Sequence, residues 1–258
     1  MEKLSIIKIG GNILENETLL KRFVHTFSAL EGKKILVHGG GKIASQIAGD
    51  LGIAAKMVDG RRITDAETLK VVTMVYAGLA NKNVVALLQA YKCDAIGLSG
   101  ADANVIKTVK RPVKTIDYGF AGDMRPDSIN TKRIHDLLEI GLCPVFSAIT
   151  HNGEGQLLNT NADTIASTLA TGLAAIYDVS LIYCFEKKGV LQDIHDETSI
   201  ISKIDSSNYK HLKQNGIISD GMIPKLDNAF EALSKGVAKV IIKHADDLLD
   251  MHAGTTIS

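Results

Sequence analysis

The stretch KILVHGGGK, residues 34–42, joins a run of aliphatic residues to three glycines and a lysine. Such a run predicts a buried strand, and the glycines predict a turn that opens a helix near Ile43. Glycine N–H groups at the start of a helix are unshielded, so residues 38–42 are typical of an anion-binding loop. Ala44 stands where a dinucleotide-binding loop has its last glycine, and the spacing also differs from a Walker A loop. A flexible turn is the alternative, although three glycines cost backbone entropy.

The same change from a short apolar run to a longer amphipathic stretch repeats along the whole chain. It predicts an α/β fold with an open, mostly parallel sheet flanked by helices on both faces. The predicted strands are 4–9, 34–37, 95–98, 144–148, 179–184 and 237–242. The predicted helices are 17–30, 43–51, 66–91, 128–140, 163–173, 206–215 and 225–235. Residues 151–155 predict a tight turn, and residues 111–127 predict a hairpin or a lid over a site.

The composition argues against several classes of protein. The 258 residues include 29 Lys+Arg and 29 Asp+Glu, so no net charge favours nucleic acid or an anionic membrane as a partner. The three cysteines are far apart and form no C-x-x-C pair, which predicts neither a disulfide framework nor a zinc site. The sequence shows no signal peptide and no uninterrupted apolar run near the roughly 20 residues of a membrane helix. We therefore expect a cytoplasmic protein.

A second glycine-rich turn follows the first predicted strand, in KIGGN at residues 8–12. Gly10 and Gly11 allow backbone N–H groups to approach a phosphate closely, and Lys8 adds a positive charge beside them. An ordinary strand end with a surface lysine is the alternative interpretation.

Two arginines precede the long predicted helix, in DGRRITD at residues 59–65. Thr64 or Asp65 can cap that helix, which accounts for both residues structurally. The guanidinium of Arg61 or Arg62 is suited to bind a carboxylate through two hydrogen bonds. A solvated side chain remains the default interpretation for one of the two arginines.

Two further polar segments lead into helices. In LNTNAD, residues 158–163, a helix cap accounts for one residue but not for the alternation of Asn159, Asn161 and Asp163. In DGMIPK, residues 220–225, Pro224 fixes the first turn of a helix, and Lys225 is placed to face a phosphate. An ordinary helix start is the alternative for the second segment.

The candidate residues share a chemical character: they are cations, glycine N–H groups and amides. They include no Ser/His/Asp or Cys/His arrangement and no clear general base. A carboxylate nucleophile has no proton to lose, so phosphoryl transfer to it needs only positioning and charge stabilisation. The set therefore favours a kinase whose acceptor is a carboxylate.

Five motifs in this order resemble those of the amino-acid kinase family, and within it those of kinases that act on N-acylated glutamate. They are KxGGN at 8–12, HGGG at 38–41, DGxRxT at 59–64, NxNAD at 159–163 and GMxxK at 221–225. Each motif alone is weak, but five in order across nearly the whole chain are specific. The resemblance implies an αβα sandwich that uses ATP with Mg²⁺ to phosphorylate the γ-carboxylate of N-acetyl-L-glutamate in arginine biosynthesis.

The resemblance also implies a role for each matching residue. The expected catalytic residues, which would bridge the transferring phosphate or hold the bridging lysines, are Lys8, Lys225 and Asp163. The expected substrate-binding residues are Gly40, Gly41, Arg62 and Asn159. The expected nucleotide-binding residues are Lys8, Gly10, Gly11 and Lys225. We expect no metal ligands from the protein itself.

The resemblance further implies one domain over residues 1–258, with an acylglutamate lobe at about 1–176 and a nucleotide lobe at about 177–258. Arginine-inhibited family members carry an N-terminal helix that joins dimers into hexamers. Here the first predicted strand begins at Leu4. We therefore expect a homodimer that arginine does not inhibit.

Three stretches depart from the family pattern. A T/S-D-V-x-G-type stretch is replaced by CFEKKGV at 184–190, and SGADA at 99–103 lacks a lysine and a second glycine. Arg61 stands where the family usually has an apolar residue. Because a succinyl group adds a third carboxylate, Arg61 predicts N-succinyl-L-glutamate as an alternative substrate, and a solvent-facing Arg61 is the other interpretation.

Three other functions stay open from sequence. The first is an amino-acid kinase acting on aspartate, glutamate, carbamate or a nucleoside monophosphate. The second is a non-catalytic binding protein on the same fold, which has no need of Lys8 and Lys225. The third is a dinucleotide-dependent oxidoreductase, although the glycine spacing argues against it.

Overall fold

The computed structural model describes residues 1–58, 60–193, 195–218 and 222–258, and the motif residues Asp59, Asp220 and Gly221 lie outside the described residues. The strands in these ranges are β1 (Lys3–Ile9), β2 (Lys33–His38), β3 (Met57–Val58), β4 (Arg61–Arg62), β5 (Ala95–Leu98), β6 (Val109–Lys110), β7 (Ala121–Asp123), β8 (Cys143–Ser147), β9 (Ile149–His151), β10 (Leu157–Thr160), β11 (Asp178–Phe185), β12 (Lys203–Ile204), β13 (Lys239–His244) and β14 (Thr255–Ile257).

The same ranges contain three kinds of helical segment besides these strands. The α-helices are α1 (Gly11–Glu15), α2 (Glu17–Ser28), α3 (Gly41–Asp50), α4 (Ala66–Thr73), α5 (Asn81–Ala90), α6 (Thr131–Glu139), α7 (Ala162–Leu173), α8 (Ser206–Gln214) and α9 (Ile223–Ser234). The other helical segments are a π-helix at Met74–Ala80 and 3₁₀ turns at Asp102–Asn104 and Ala245–Asp247.

An eight-stranded sheet organises the fold. Its strand order is β12-β14-β13-β11-β1-β2-β8-β5, and every neighbouring pair is parallel except β13 with β14. The six predicted strands form the contiguous block from β13 to β5. The predicted α/β class with a mostly parallel sheet is confirmed.

The two faces of this sheet carry separate apolar cores, because successive side chains of a strand point to opposite faces. On β1, Ile6 packs in one core with Leu169 of α7, and Ile7 packs in the other with Phe23 of α2. All four side chains are fully buried. Burial of such a side chain stabilises the fold by about 1.5–3 kcal/mol. Because the strand side chains alternate between the two faces of the sheet, α7 packs on one face and α2 on the other.

Helix starts differ from the sequence predictions where side chains cap them. Helix α6 was predicted from residue 128 but begins at Thr131, because the N–H of Arg133 donates to Asn130 Oδ1 at 3.2 Å. Helix α7 begins at Ala162, because the N–H of Thr164 donates to Asn161 Oδ1 at 2.9 Å. Asp163 therefore lies in the first turn of α7 and leaves the capping role to Asn161.

Helix α4, the π-helix and α5 form one continuous helical stretch, Ala66–Ala90, which by length and composition alone could cross a membrane. In the folded chain this stretch packs in both cores: Val72 contributes to the core that contains Ile6, and Leu88 to the core that contains Ile7. Both side chains are fully buried. A core helix of a soluble protein meets the same length and composition criteria.

A smaller sheet has the order β6-β7-β10-β9, and its strand β9 follows directly after β8 of the main sheet. The predicted turn at 151–155 joins the antiparallel strands β9 and β10, and the irregular segment 111–127 contains the turn of the antiparallel hairpin β6–β7. The N–H of Asn159 on β10 donates to Phe120 O at 2.9 Å. The small sheet thereby holds Asn159 beside the main sheet.

Candidate active site

The carboxyl ends of three central strands meet at one edge of the main sheet. Ile9, the last residue of β1, pairs with His38 of β2 on one side and with Cys184 of β11 on the other. The glycines after β1 and β2 and the segment after β11 therefore emerge side by side. Ligands of open parallel sheets bind at this edge.

A cleft of about 260 Å³ opens at this edge. It brings together six of the residues that the sequence predicted for the site: Lys8, Gly11, Gly40, Gly41, Arg62 and Asn159. Among the described residues that line it there is no histidine, aspartate or glutamate. The charged side chains among the described residues that line the cleft are therefore all cations.

The glycine loop after β2 requires glycine at one position. Gly40 has φ 142°, and a Cβ built there would lie 3.0 Å from Cδ1 of Tyr76. The side chain of His38 also supports the loop, since its Nδ1–H donates to Gly39 O at 2.9 Å. The other ring nitrogen of His38, Nε2, accepts a hydrogen bond from Asn81 Nδ2 at 3.0 Å. Burial lowers the pKa of His38 to about 4. At neutral pH this histidine is therefore an uncharged part of the scaffold.

The two predicted lysines both lie close to one aromatic ring, that of Phe185. Lys8 Nζ is 2.8 Å from Asp163 Oδ1, in a charge contact whose angles are not those of a hydrogen bond. Lys225 Nζ lies 3.8 Å from the centre of the Phe185 ring, and Lys8 Nζ lies 5.3 Å from it. Burial and the Lys8 charge lower the pKa of Lys225, against the charges of Asp163 and Glu186. The structure places Lys8, Asp163 and Lys225 together, although Asp163 and Lys225 do not line the cleft itself.

Arg62 reaches the cleft from β4. Its Nη2 donates to Gly41 O at 2.8 Å and to Ser45 Oγ at 2.7 Å, which fixes the guanidinium against the start of α3. Its Nη1 is buried and has no hydrogen-bond partner within the described protein. A buried guanidinium nitrogen that lacks a partner is costly, so this nitrogen is available to an anionic ligand.

Asn159 lines the cleft from β10. Its Nδ2 donates to Thr64 Oγ1 at 3.0 Å. Thr64 is fully buried and precedes the long helical stretch by two residues. The hydrogen bond orients the amide, so that Oδ1 is left as an acceptor for a ligand.

Gly10 differs from the other predicted glycines. Its N–H donates to Cys184 O at 3.2 Å, so it is used at the sheet edge and is not directed into the cleft. A Cβ at Gly10 would lie 3.7 Å from Phe185 Cδ1, an ordinary contact distance. The backbone of Gly10 therefore lies close to the side chain of Phe185.

Three residues of the site were not predicted from sequence. Tyr76 lines the cleft from the middle of the long helical stretch, where it looked like one more apolar position. Arg111 lines it from the hairpin and is paired with Asp123, with Nε donating to Oδ1 at 2.9 Å. Phe185 belongs to the stretch 184–190, which departs from the family pattern, and this departure is the sequence signal that could have identified it.

No group of three or more His, Cys, Asp or Glu side chains in the described ranges is arranged to hold a metal ion. The polar groups around the cleft are donors and cations, which suit carboxylate and phosphate oxygens.

Residues 3–244 match the amino acid kinase family. The chain belongs to this family. This amino acid kinase is 55% identical over 252 residues to the acetylglutamate kinase of Cytophaga hutchinsonii, which covers 97% of this chain and 95% of that relative. It is 54% identical over 256 residues to the acetylglutamate kinase of Bacteroides thetaiotaomicron, over 99% and 98% of the two chains. The solved structure of smu.665 from Streptococcus mutans has a TM-score of 0.78 and 27% identity, over 99% and 98% of the two chains.

In this amino acid kinase the edge of the sheet has two chemically different ends. One end holds two ammonium groups and one carboxylate, and the other holds a guanidinium and an amide fixed by their neighbours. The first end can stabilise charge on a phosphoryl group. The second can bind a small acid with a defined orientation.

Proposed function

We propose that this amino acid kinase is an acetylglutamate kinase, which transfers the γ-phosphate of ATP to the γ-carboxylate of N-acetyl-L-glutamate in arginine biosynthesis. The observation that carries the proposal is a cleft with Arg62 and Asn159, and without a histidine or carboxylate among its described lining residues, beside the pair Lys8 and Lys225. A carboxylate acceptor needs no general base. Relatives that are 55% and 54% identical carry the name acetylglutamate kinase.

The substrate is oriented by the wall that carries Arg62. The unpartnered Nη1 of Arg62 donates to the α-carboxylate, and this contact is charge-assisted on both sides. The amide of Asn159 pairs with the acylamino group. Gly40 and Gly41 present N–H groups at the start of α3 toward the γ-carboxylate. The acceptor oxygen is then directed to the lysines.

The phosphates are received by the lysine end. Lys8 and Lys225 stabilise the charge on the transferring phosphoryl group, and Asp163 holds Lys8 in place. Gly11, which lines the cleft, lets the ATP phosphates approach the backbone, and Gly10 precedes it in the same turn. The donor set fits ATP because it is cationic, and Mg²⁺ bound to ATP supplies further neutralisation of phosphate charge.

Both parts of the chain contribute to phosphoryl transfer, because Lys8 and Asp163 precede residue 177 and Lys225 follows it. Arg62 and Asn159 belong to residues 1–176, which we assign to the acylglutamate, and Lys225 belongs to residues 177–258, which we assign to the nucleotide. We also propose a cytoplasmic homodimer that arginine does not inhibit. Light scattering gives the mass in solution, and a hexamer or inhibition by millimolar arginine would contradict this assembly.

ADP release with Mg-ATP tests the function. N-acetyl-L-glutamate should support turnover, whereas aspartate, glutamate, carbamate and a nucleoside monophosphate should not. Lys225→Ala is the background control for contaminating ATPase. If no acylglutamate supports turnover while ATP still binds, the protein is a non-catalytic binding protein and not a kinase.

A second candidate substrate is N-succinyl-L-glutamate. Arg61 lines the cleft with Arg62, and it also lines an adjoining cavity of about 650 Å³ with Arg111 and Lys114. Since Arg111 is paired with Asp123, the exposed Arg61 is the better placed partner for a third carboxylate.

A comparison of the two substrates at equal concentration decides between them. If the succinyl compound is preferred, Arg61→Leu should reverse the preference while Arg133→Leu, an exposed arginine on α6, leaves it unchanged. An unchanged preference in Arg61→Leu would exclude this role for Arg61.

A further inference from the structure

The two lysines of the active site have fewer counter-ions than their charge requires. Asp163 is within ion-pair distance of Lys8, and none of the described carboxylates lies within such a distance of Lys225. Lys225 is nevertheless partly buried beside a second cation, and both effects disfavour its charged form. The charges of Asp163 and Glu186 favour the ammonium form, but neither carboxylate forms an ion pair with Lys225, so a closer group is needed to hold its side chain in place.

The ring of Phe185 occupies the position where such a group is needed. The ammonium nitrogen of Lys225 is 3.8 Å from the ring centre and that of Lys8 is 5.3 Å from it, both within the distance over which an aromatic face attracts a cation. The face of the ring carries the negative part of its quadrupole. One ring thus contacts both lysines.

The orientation of this ring is set by its neighbours. The Tyr183 ring lies nearly parallel to it, with centres 6.2 Å apart and 10° between the planes. The backbone of Gly10 is also close to the ring, as a Cβ there would be 3.7 Å from Phe185 Cδ1. Phe185 is also the last residue of β11, paired with His244 of β13. The ring is therefore supported from the sheet and from the glycine turn.

We propose that Phe185 is a positioning residue for phosphoryl transfer, which holds the ammonium of Lys225 beside that of Lys8 through its aromatic face. A second carboxylate would hold Lys225 as well, but it would also repel the phosphates and neutralise the charge that they need. An aromatic face stabilises the cation and leaves its full charge for the ligand. This inference rests on the proposed function, because it assigns a role in the same phosphoryl transfer.

Replacement of the Phe185 ring by an aliphatic side chain should remove the attraction for the Lys225 ammonium while it keeps most of the apolar packing. Phe185→Leu should lower kcat about 3- to 30-fold, the range that corresponds to a cation–π contact. The KM for the acylglutamate should change little, because Arg62 is fixed by Gly41 and Asn159 by Thr64, and these hydrogen bonds remain in the variant. Phe185→Tyr keeps the aromatic face and should retain most of the activity. Phe230→Leu is the matched control, since that ring packs on Tyr209 in the same half of the chain.

The pH dependence gives a second readout that packing alone would not move. Lys225 faces Asp163 from α7, Lys8 from β1 and Glu186 after β11, and these charges remain in the variant. Leucine keeps the site dry but removes the attraction for the cation, so the pKa of Lys225 should fall. The alkaline limb of kcat should move to lower pH by about half a unit to one unit.

The same shift can be measured without turnover. NMR titration of ¹³Cε-labelled lysines, with the Lys225 signal assigned by its loss in Lys225→Arg, reports its pKa in wild type and in Phe185→Leu. If no acylglutamate is phosphorylated, the proposed function fails while this titration still decides the role of Phe185. An unchanged Lys225 pKa, or equal losses of kcat in Phe185→Leu and Phe230→Leu, would overturn the proposal. Phe185→Met replaces the leucine variant if that variant loses its native circular dichroism.

Discussion

The lysine end and the arginine end of the cleft bind anions in opposite ways. At the lysine end, Lys8 is paired with Asp163, and none of the described carboxylates lies within ion-pair distance of Lys225, so positive charge is left in excess. At the arginine end, Nη2 of Arg62 is fixed by Gly41 and Ser45, and Asn159 is fixed by Thr64, so the geometry is already set before a ligand arrives. Excess charge favours a transition state that spreads charge over phosphoryl oxygens, whereas fixed geometry favours a ground-state acid.

The largest effect should come from the lysine end. Lys8→Ala or Lys225→Ala should lower kcat by ~10²–10³, the usual result of removing one preorganised charge-stabilising group. The KM for the acylglutamate should change less than kcat. Steady-state kinetics measures both, with the exposed Lys210→Ala as a control. Near-normal turnover in Lys8→Ala would contradict the assignment of transition-state stabilisation to the lysine end.

The next largest effect should come from the arginine end, and it should appear in a different constant. Arg62→Ala removes a charge-assisted contact, so the KM for the acylglutamate should rise ~10- to 100-fold while kcat falls much less. Ser45→Ala, which removes a support of the guanidinium and not the guanidinium itself, is the graded control. A loss confined to kcat in Arg62→Ala would contradict the assignment of this end to substrate binding.

Acid should act on the scaffold of the arginine end through His38. The folded protein binds the imidazole proton only near pH 4, whereas 6.5 is the ordinary pKa that the histidine recovers on unfolding. Between these values the unfolded chain holds more protons, so this contribution to stability is lost as the pH falls through the window. At pH 5 the loss is about 2 kcal/mol.

Denaturant unfolding between pH 7 and 4.5 measures this effect. In His38→Gln, which cannot titrate, the slope of stability against pH should be smaller than in wild type. Equal slopes in the two proteins would show that His38 binds its proton in the folded state as well.

The smallest effect should come from the support of Asn159. Thr64→Val removes the hydroxyl that accepts from Asn159 Nδ2 and leaves the helix start intact, because Asp65 caps the helix. A net hydrogen bond is about 1 kcal/mol, so the KM should rise roughly five-fold. The same kinetic assay measures it, with Thr73→Val on the same helical stretch as a control. A larger change in kcat than in KM would place Asn159 with the lysine end.

Much of the fold could be predicted from the sequence because the signals are local. Alternating apolar runs and amphipathic stretches identified the six strands of the central block, and turn residues identified the β9–β10 turn. Helix starts were less accurate, since Asn130 and Asn161 cap their helices through side-chain hydrogen bonds. The sheet β6-β7-β10-β9 was not predicted as a unit, because its strands have only two to four residues and its two hairpins are joined by the β7–β10 pairing, across about 35 residues of sequence.

The candidate site was predictable where its residues follow strands, and less so elsewhere. Gly40 and Lys8 lie at strand ends, which sequence patterns identify. Tyr76 enters the cleft from a π-helix inside a longer helix, and a period of 3.6 residues cannot predict the face that such a turn presents. The contact of Phe185 with both lysines depends on β1, β11 and α9 meeting, which no local pattern contains.

The position of β1 between β2 and β11 also bears on how the chain is made on the ribosome. Residues 1–9 leave the ribosome early and can pair with β2, but their other neighbour is complete only when Phe185 has been synthesised. Until then an apolar, fully formed edge strand lies exposed, and such edges invite pairing with other chains. A nascent chain that stops before residue 178 should therefore depend on chaperones far more than the finished protein does.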